Sequence, residues 1–184
     1  FGTMHLLCAS DAMLSDNLKS VIKNADEIYF EIDLDDIGDM LQGLKLGIMK
    51  NDTTLNDLYT HEEYQRVQDF FTHHQMGLQF MMMKKMQPML VSALVYQAVM
   101  PCSETEGMEL SIMQVAKKNN KEIKGLETAA FQAALLGDIP YAIQAKELLT
   151  SIDSTSYALQ ESEKMMDLYK EQDLDKLLQF SLES

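Results

Sequence analysis

Apolar and polar positions near the start of the chain alternate between helical and strand-like spacing. After a capping residue at Ser15, apolar side chains such as Leu18 and Ile22 recur at the spacing of an amphipathic helix. The run EIYFEID, residues 27–33, is short, apolar and rich in strand-favouring residues, which indicates a buried strand. With a strand leading into Gly2, these segments predict a βαβ unit whose strands are parallel and joined right-handedly.

Helical spacing dominates the middle of the chain, from about residue 54 to residue 119. One predicted helix begins after a cap at Thr60. Pro88 is expected to kink or restart the next one, because proline cannot continue a helical hydrogen-bond ladder. A third helix is predicted roughly over residues 106–119.

A second strand-like run, KEIKGLET at residues 121–128, follows the helical middle. Beyond it, four successive helices are predicted, with breaks at Gly137–Asp138 and at residues 151–154. The predicted fold class is therefore α/β and helix-dominated. It has a small parallel sheet and a large helical insertion between the second and third strands.

Composition places the chain among globular domains. It has 184 residues, of which 46% are hydrophobic and 24% charged, so a single domain over residues 1–184 is expected. A net charge of -14 opposes binding to nucleic acid or anionic lipid. The longest strongly apolar stretch, residues 89–100, is shorter than the ~20 residues that cross a bilayer, so no transmembrane segment is predicted.

The two cysteines, Cys8 and Cys102, match neither a CxxC motif nor a dense disulfide framework. Two free thiols or one long-range disulfide are both open, and the absence of a motif favours free thiols. The chain begins at Phe1, and its last residues, LLQFSLES, end without a closing element. We therefore expect the domain to be incomplete at both ends and part of a longer protein.

Candidate chemistry lies where predicted strands end. His5 follows the first strand, Glu31 lies at the carboxyl end of the second, and Glu127 at that of the third. Ligands of open parallel sheets bind outside the carboxyl ends of the strands, so these side chains can meet in space. Mixed histidine and carboxylate ligation suits manganese, zinc, iron or cobalt and does not distinguish among them.

A fourth candidate is Glu109, which shares a helix face with Ile112, Met113 and Ala116. This face is expected to pack inward. A carboxylate on such a face must be paired, metal-bound or protonated, because an isolated buried charge is too costly.

Three segments in this order, FGTMHLL, ADEIYFEIDL and EGMELSIMQVAKKNNKEIKGLETAAFQAALL, resemble the TraB/GumN/PrgY family. That family is related to the TIKI proteins, regarded as metal-dependent proteases, and more remotely to the EreA/ChaN-like fold. The resemblance implies an EreA/ChaN-like fold. The positions that it matches to the family's motifs are Gly2, His5, Glu31, Gly107, Glu109, Gly125 and Glu127.

The family also has a second GxxH motif near its end, which this chain lacks. The other histidines, His61, His73 and His74, do not follow a glycine by three positions. The resemblance places the second motif beyond Ser184.

The resulting hypothesis is a metal-dependent hydrolase that acts on a peptide or a small molecule. A divalent ion would be held by His5, Glu31 and Glu127, and the catalytic acids would be Glu31, Glu109 and Glu127, with Glu31 as the general base. Glycines 2, 107 and 125 would form turns at the site. The alternatives are a non-catalytic module that binds a peptide or signal, and a haem- or iron-binding protein of ChaN-like fold. The resemblance also implies export to the periplasm or cell envelope.

Overall fold

The structure, a computed structural model, describes residues 2–183 apart from the side chain of Ala158. Helices make up most of the described chain, and its strands are short. In chain order the elements are β1 (Leu7–Cys8), α1 (Asp16–Asn24), β2 (Glu27–Ile32), α2 (Ile37–Leu46), a 3₁₀ turn (Leu55–Leu58), α3 (His61–His73), α4 (Gly77–Met83), α5 (Pro88–Val99), β3 (Thr105–Glu106), α6 (Met108–Lys118), β4 (Glu122–Glu127), α7 (Ala129–Gly137), α8 (Tyr141–Asp153), α9 (Thr155–Glu171) and α10 (Leu174–Glu183).

The strands β2 and β4 form a parallel pair in which Phe30 lies opposite Gly125 and Ile32 opposite Glu127. Helices α2 to α6 lie between them in the chain. This arrangement confirms a helix-dominated α/β fold with a large helical insertion between two parallel strands. Both strands end at the same edge, so Glu31 and Glu127 are carried to one rim of the sheet.

Of the predicted βαβ unit, the described residues contain the helix and the second strand, as α1 and β2. The expected strand leading into Gly2 lies outside them. The first strand that they contain, β1, pairs antiparallel with β3, with Leu7 opposite Glu106. Strand β1 has only two residues, and a strand this short shows no alternation of apolar and polar residues. The sequence pattern therefore could not locate it.

The expectation of free thiols is wrong, because Cys8 and Cys102 are joined by a disulfide with their Cα atoms 5.8 Å apart. The β1–β3 pairing explains it. Cys8 lies opposite Thr105, and Thr105 follows Cys102 by three residues. The paired strands therefore bring the two cysteines together although they are distant in sequence. This long-range contact has no local signal in the sequence.

Local capping fixes the helix starts that the sequence indicated. The Ser15 hydroxyl accepts from the Leu18 amide at 3.2 Å, which begins α1. Thr60 and Glu63 form a reciprocal capping box at α3. The helix α2 was not predicted, and its Asp39 carboxylate accepts from the amide of Ala129 at 2.6 Å, so α2 also caps α7.

Two apolar clusters form the core. One lies on the sheet and unites residues of β2, β4, α1, α6 and α9, among them Ile22, Phe30, Ile112, Ala116, Ile123 and Met166. The other lies within the helical insertion and α8, among them Val67, Phe71, Phe80, Val91 and Leu148. Within residues 2–183, none of the helices has the length and apolar character to span a membrane.

Candidate functional site

His5 and Glu109 meet at the start of α6. The Nδ1 atom of His5 lies 2.8 Å from Oε1 of Glu109. The contact depends on the backbone, because the Met108 amide donates to the Met4 carbonyl at 3.1 Å and ties the loop before β1 to the helix. Two segments distant in sequence thus present an imidazole and a carboxylate to each other.

Gly107 permits this close approach. A Cβ at this position would lie 2.7 Å from the His5 carbonyl oxygen and 3.0 Å from Oε2 of Glu109. At Gly125 an added Cβ would lie 2.6 Å from the Asp33 amide nitrogen, so β4 can lie closely against the segment after β2. Gly2 differs, because a Cβ there would meet nothing within 4 Å. The structure therefore gives a steric reason for two of the three glycines.

Glu109 is the enclosed member of the group. Its side chain is 13% exposed, whereas that of His5 is 77% exposed. Its Oε1 atom is buried and makes no hydrogen bond, although Nδ1 of His5 lies 2.8 Å from it. The first turn of α6 favours its negative charge through the helix dipole. A buried carboxylate oxygen that makes no hydrogen bond is a candidate cation ligand.

Glu31 approaches the imidazole from the other side. Its Oε2 lies 4.0 Å from Nε2 of His5, and its side chain is 62% exposed. Its other oxygen, Oε1, accepts from Nε2 of Gln132 at 2.8 Å. Glu127 does not contact His5 and instead accepts from the same Gln132 nitrogen at 3.3 Å. The structure therefore brings His5, Glu31 and Glu109 together and places Glu127 behind Gln132.

Gln132 is a site residue that the sequence analysis missed. It lies in the first turn of α7, whose cap is Thr128. Side chains on a helix tilt toward its N-terminus, so a residue in the first turn after a strand reaches back over the strand end. This tilt of side chains in the first helical turn is the feature from which Gln132 could be predicted.

Tyr169 of α9 supports the loop that carries His5. Its hydroxyl lies 2.9 Å from the Gly2 carbonyl and 2.6 Å from Sδ of Met108, and its one hydrogen can be donated to one acceptor at a time. Burial, and then the charge of Glu109, raise the pKa of Tyr169. The hydroxyl therefore stays protonated and able to donate.

An open cavity of about 810 Å³ adjoins these residues. His5, Glu31, Glu109 and Gln132 line it, and α1, β2 and α6 form its remaining walls. The exposed atoms of His5 and Glu31 are thus accessible to a ligand.

The imidazole of His5 and the carboxylate of Glu109 are spaced like two ligands of one divalent ion. Two cis ligands of a six-coordinate ion with bonds of about 2.1 Å lie about 3 Å apart, and the 2.8 Å between Nδ1 of His5 and Oε1 of Glu109 is close to this spacing. The described residues contain no group of three histidine, cysteine, aspartate or glutamate side chains already arranged as a metal site. The chain therefore offers a two-residue ligand pair, with Glu31 beside it.

Comparison with known proteins places the chain by family. The family model described as the TraB/PrgY/gumN family matches residues 1–184. No curated protein and no solved structure was found to match the chain.

Proposed function

The chain belongs to the TraB/PrgY/gumN family, and from this premise we propose that it is a metal-dependent hydrolase of peptides. The observation that carries the proposal is the position of the His5 imidazole, which lies 2.8 Å from Glu109 on one side and 4.0 Å from Glu31 on the other. An imidazole between two carboxylates at the mouth of a cavity is a donor set that suits a divalent ion.

His5 and Glu109 would hold the ion, and manganese, cobalt, zinc and iron all fit such ligands. When bound, the ion supplies positive charge that polarises a carbonyl and lowers the pKa of bound water from ~15.7 toward ~7. Glu31 is the general base, because it is the more exposed of the two carboxylates beside His5. It takes a proton from the attacking water and later returns it to the leaving amine.

Gln132 and Glu127 act on Glu31 rather than on the substrate. The Gln132 amide donates to Glu31 and to Glu127, so it holds two like charges at the rim of the sheet and limits the rotamers of Glu31. We therefore assign Glu127 a positioning role in this proposal.

The second candidate is non-catalytic binding of a peptide or signal. The cavity favours it, because apolar side chains of α1 and α6 form much of its wall. The two candidates differ in their response to a chelator, because a binding module keeps its affinity without metal.

An oxidising compartment is part of the proposal. Disulfides persist in the periplasm and at cell surfaces and are rare in a reducing cytosol, and Cys8 and Cys102 form one in this structure. The measurement is thiol labelling of the protein in intact cells followed by mass spectrometry. Blocked thiols at both cysteines would support export, and two labelled thiols would contradict it.

The test of hydrolysis is cleavage of a peptide library after chelation and after return of each metal. We expect cleavage to stop with chelator and to resume with at least one divalent ion. Glu31→Gln should lower kcat by about 10²–10⁴-fold, whereas Glu62→Gln, exposed on α3, should leave kcat unchanged. Cleavage that is indifferent to chelator, or an equally active Glu31→Gln protein, would overturn the proposal.

A further inference from the structure

The Cys8–Cys102 disulfide and the candidate site are attached to the same two-stranded ribbon, formed by β1 and β3. Cys8 is the last residue of β1, and His5 lies two residues before the first residue of that strand. Cys102 lies three residues before β3, and Glu109 lies three residues after it. Each strand therefore connects a cysteine to a residue of the His5–Glu109 pair.

Backbone pairing holds this ribbon weakly. Each strand has two residues, whereas even a longer two-stranded hairpin is only marginally stable in water. Leu7 is buried in the core and anchors β1, but both residues of β3 are only half-buried. The segment that carries Cys102, residues 100–104, contains neither helix nor strand. The position of β3 beside β1 therefore depends strongly on the disulfide.

The contact between His5 and Glu109 is imposed by the chain around it. Oε1 of Glu109 makes no hydrogen bond, although Nδ1 of His5 lies 2.8 Å away, and burial of an acceptor in this state opposes the contact. The His5 backbone is nevertheless so close to Gly107 that an added Cβ there would lie 2.7 Å from the His5 carbonyl oxygen. Backbone hydrogen bonds such as the one from Met108 to Met4 hold this approach, and the disulfide is the covalent link beside them.

The disulfide is accessible to a redox partner. Cys8 and Cys102 are each half-buried, and the residues on either side of Cys102, Pro101 and Ser103, are exposed. Because the chain around Cys102 has no regular structure, a reagent can approach the sulfur atoms without unfolding a helix. Accessible disulfides are the ones that exchange most readily with other thiols and disulfides.

We propose that the Cys8–Cys102 pair is a redox switch for the candidate site, in which the disulfide sets His5 against Glu109 and reduction to two thiols releases them. This inference rests on the proposed function and names the regulation of that same site. In a reducing compartment the chain binds a divalent ion weakly, and it gains full affinity when the disulfide forms after export.

The switching step is thiol–disulfide exchange with a second disulfide, supplied by a disulfide-exchange catalyst or by a small-molecule disulfide. The thiolate of one cysteine attacks that disulfide, so that a mixed disulfide forms and one sulfur leaves. The thiolate of the other cysteine then attacks the mixed disulfide and closes the S–S bond of the chain. The two protons and two electrons that the cysteines lose are gained by the second disulfide, which becomes two thiols.

Hydrogen exchange in the absence of metal tests the structural part of the switch. The oxidised protein is compared with protein that has been reduced and alkylated with iodoacetamide, and exchange is followed by mass spectrometry. We expect amides of residues 4–9 and 104–110 to exchange about tenfold faster in the reduced form, while amides of α5 and α8 keep their rates. Unchanged exchange in the ribbon, or an equal increase throughout the protein, would overturn the inference.

Cobalt binding tests the control of the site, and serine variants avoid ligation by free thiols. The double variant Cys8→Ser/Cys102→Ser removes the link, whereas Leu148→Ala lowers stability in the apolar cluster of the helical insertion and leaves the ribbon intact. In calorimetry we expect the double variant to bind Co²⁺ about tenfold more weakly than the wild-type protein, and Leu148→Ala to change the affinity by less than about twofold. Equal affinity of the double variant and the wild-type protein would overturn the inference.

The exchange and cobalt measurements fail separately. Faster exchange in the ribbon with no cobalt binding by any of the proteins would support the release of His5 from Glu109 and remove the metal centre of the proposed function. Cobalt binding that requires His5 but is equal with and without the disulfide would keep that metal centre and overturn the switch.

Discussion

Nδ1 of His5 lies 2.8 Å from Oε1 of Glu109, a buried oxygen that makes no hydrogen bond. The fold therefore buries a carboxylate oxygen of Glu109 without a hydrogen bond, which lowers the free energy of unfolding. A buried unsatisfied acceptor costs about 1–3 kcal/mol, which exceeds the 0.3–1 kcal/mol that a charge gains at a helix start. The Glu109 carboxylate therefore lowers the stability of the protein when no cation is bound beside it.

Replacing Glu109 by Met, which is similar in size and carries no oxygen, should stabilise the metal-free protein. The net gain is about 1 kcal/mol, which corresponds to a rise in Tm of roughly 2–4 °C for a chain of this size. Thermal unfolding in EDTA measures it, with Glu104→Met at an exposed position as the control that should not shift. A lower Tm for Glu109→Met would show that the fold already compensates this charge.

Two glycine substitutions should differ sharply. Gly107→Ala would press a Cβ against the His5 carbonyl, and we expect it to lower the free energy of unfolding by about 1–3 kcal/mol and to displace His5. Gly2→Ala meets nothing within 4 Å and should be neutral. Urea unfolding of both variants checks this. A neutral Gly107→Ala protein would mean that the loop and α6 are farther apart than described.

Removal of the Gln132 amide should reduce kcat more than it changes KM, because Glu31 and Glu127 lose their shared donor. We expect Gln132→Ala to lower kcat by about tenfold or more. Gln160→Ala, at an exposed position of α9, is the control and should leave kcat unchanged. If both variants retain full kcat, Gln132 has no positioning role.

The pairing of β2 with β4 should depend on pH through Glu27 and Lys124. The Lys124 ammonium, and then the Tyr29 hydroxyl, lower the pKa of Glu27 from 4.5, while hydrogen bonding to Glu27 raises the pKa of Lys124 from 10.5. A lowered carboxyl pKa stabilises the fold above pH 4.5, and that contribution is lost as pH falls through the folded-state pKa. A raised lysine pKa stabilises it below pH 10.5, with loss at higher pH.

Thermal unfolding across pH tests the acid side of this pair. From about pH 5 to pH 3 the wild-type protein should lose more Tm than Glu27→Gln, which cannot titrate at this position. Parallel curves for the two proteins would indicate that Glu27 does not contribute to the strand pairing.

Much of the fold was accessible to prediction because its signals are local. Ser15 and Thr60 cap helices where the sequence indicated, and the runs that contain β2 and β4 have apolar, strand-favouring residues. Helix α2 was missed because Gly38 and Gly43 reduce its helix propensity. Gly43 instead lets α2 approach Ala129 of α7. This contact joins residues that are distant in sequence, so local sequence patterns do not indicate it.

The candidate site was only partly accessible. The strand-end rule selected His5, Glu31 and Glu127, and helix spacing selected Glu109. The carboxylate that lies next to His5 is determined by two contacts between distant segments. One is the close approach of the His5 backbone to Gly107, and the other is the pairing of β1 with β3. The pairing of β1 with β3 also brings Cys8 and Cys102 close enough to form their disulfide.

Calorimetric titration of the protein with Co²⁺ tests the central claim most directly, because it measures whether His5 and Glu109 hold a divalent ion. We expect one ion to bind the wild-type protein, His73→Ala to bind it equally, and His5→Ala to weaken it by at least about tenfold. Equal binding by His5→Ala, or no binding by the wild-type protein, would contradict a metal centre at this site.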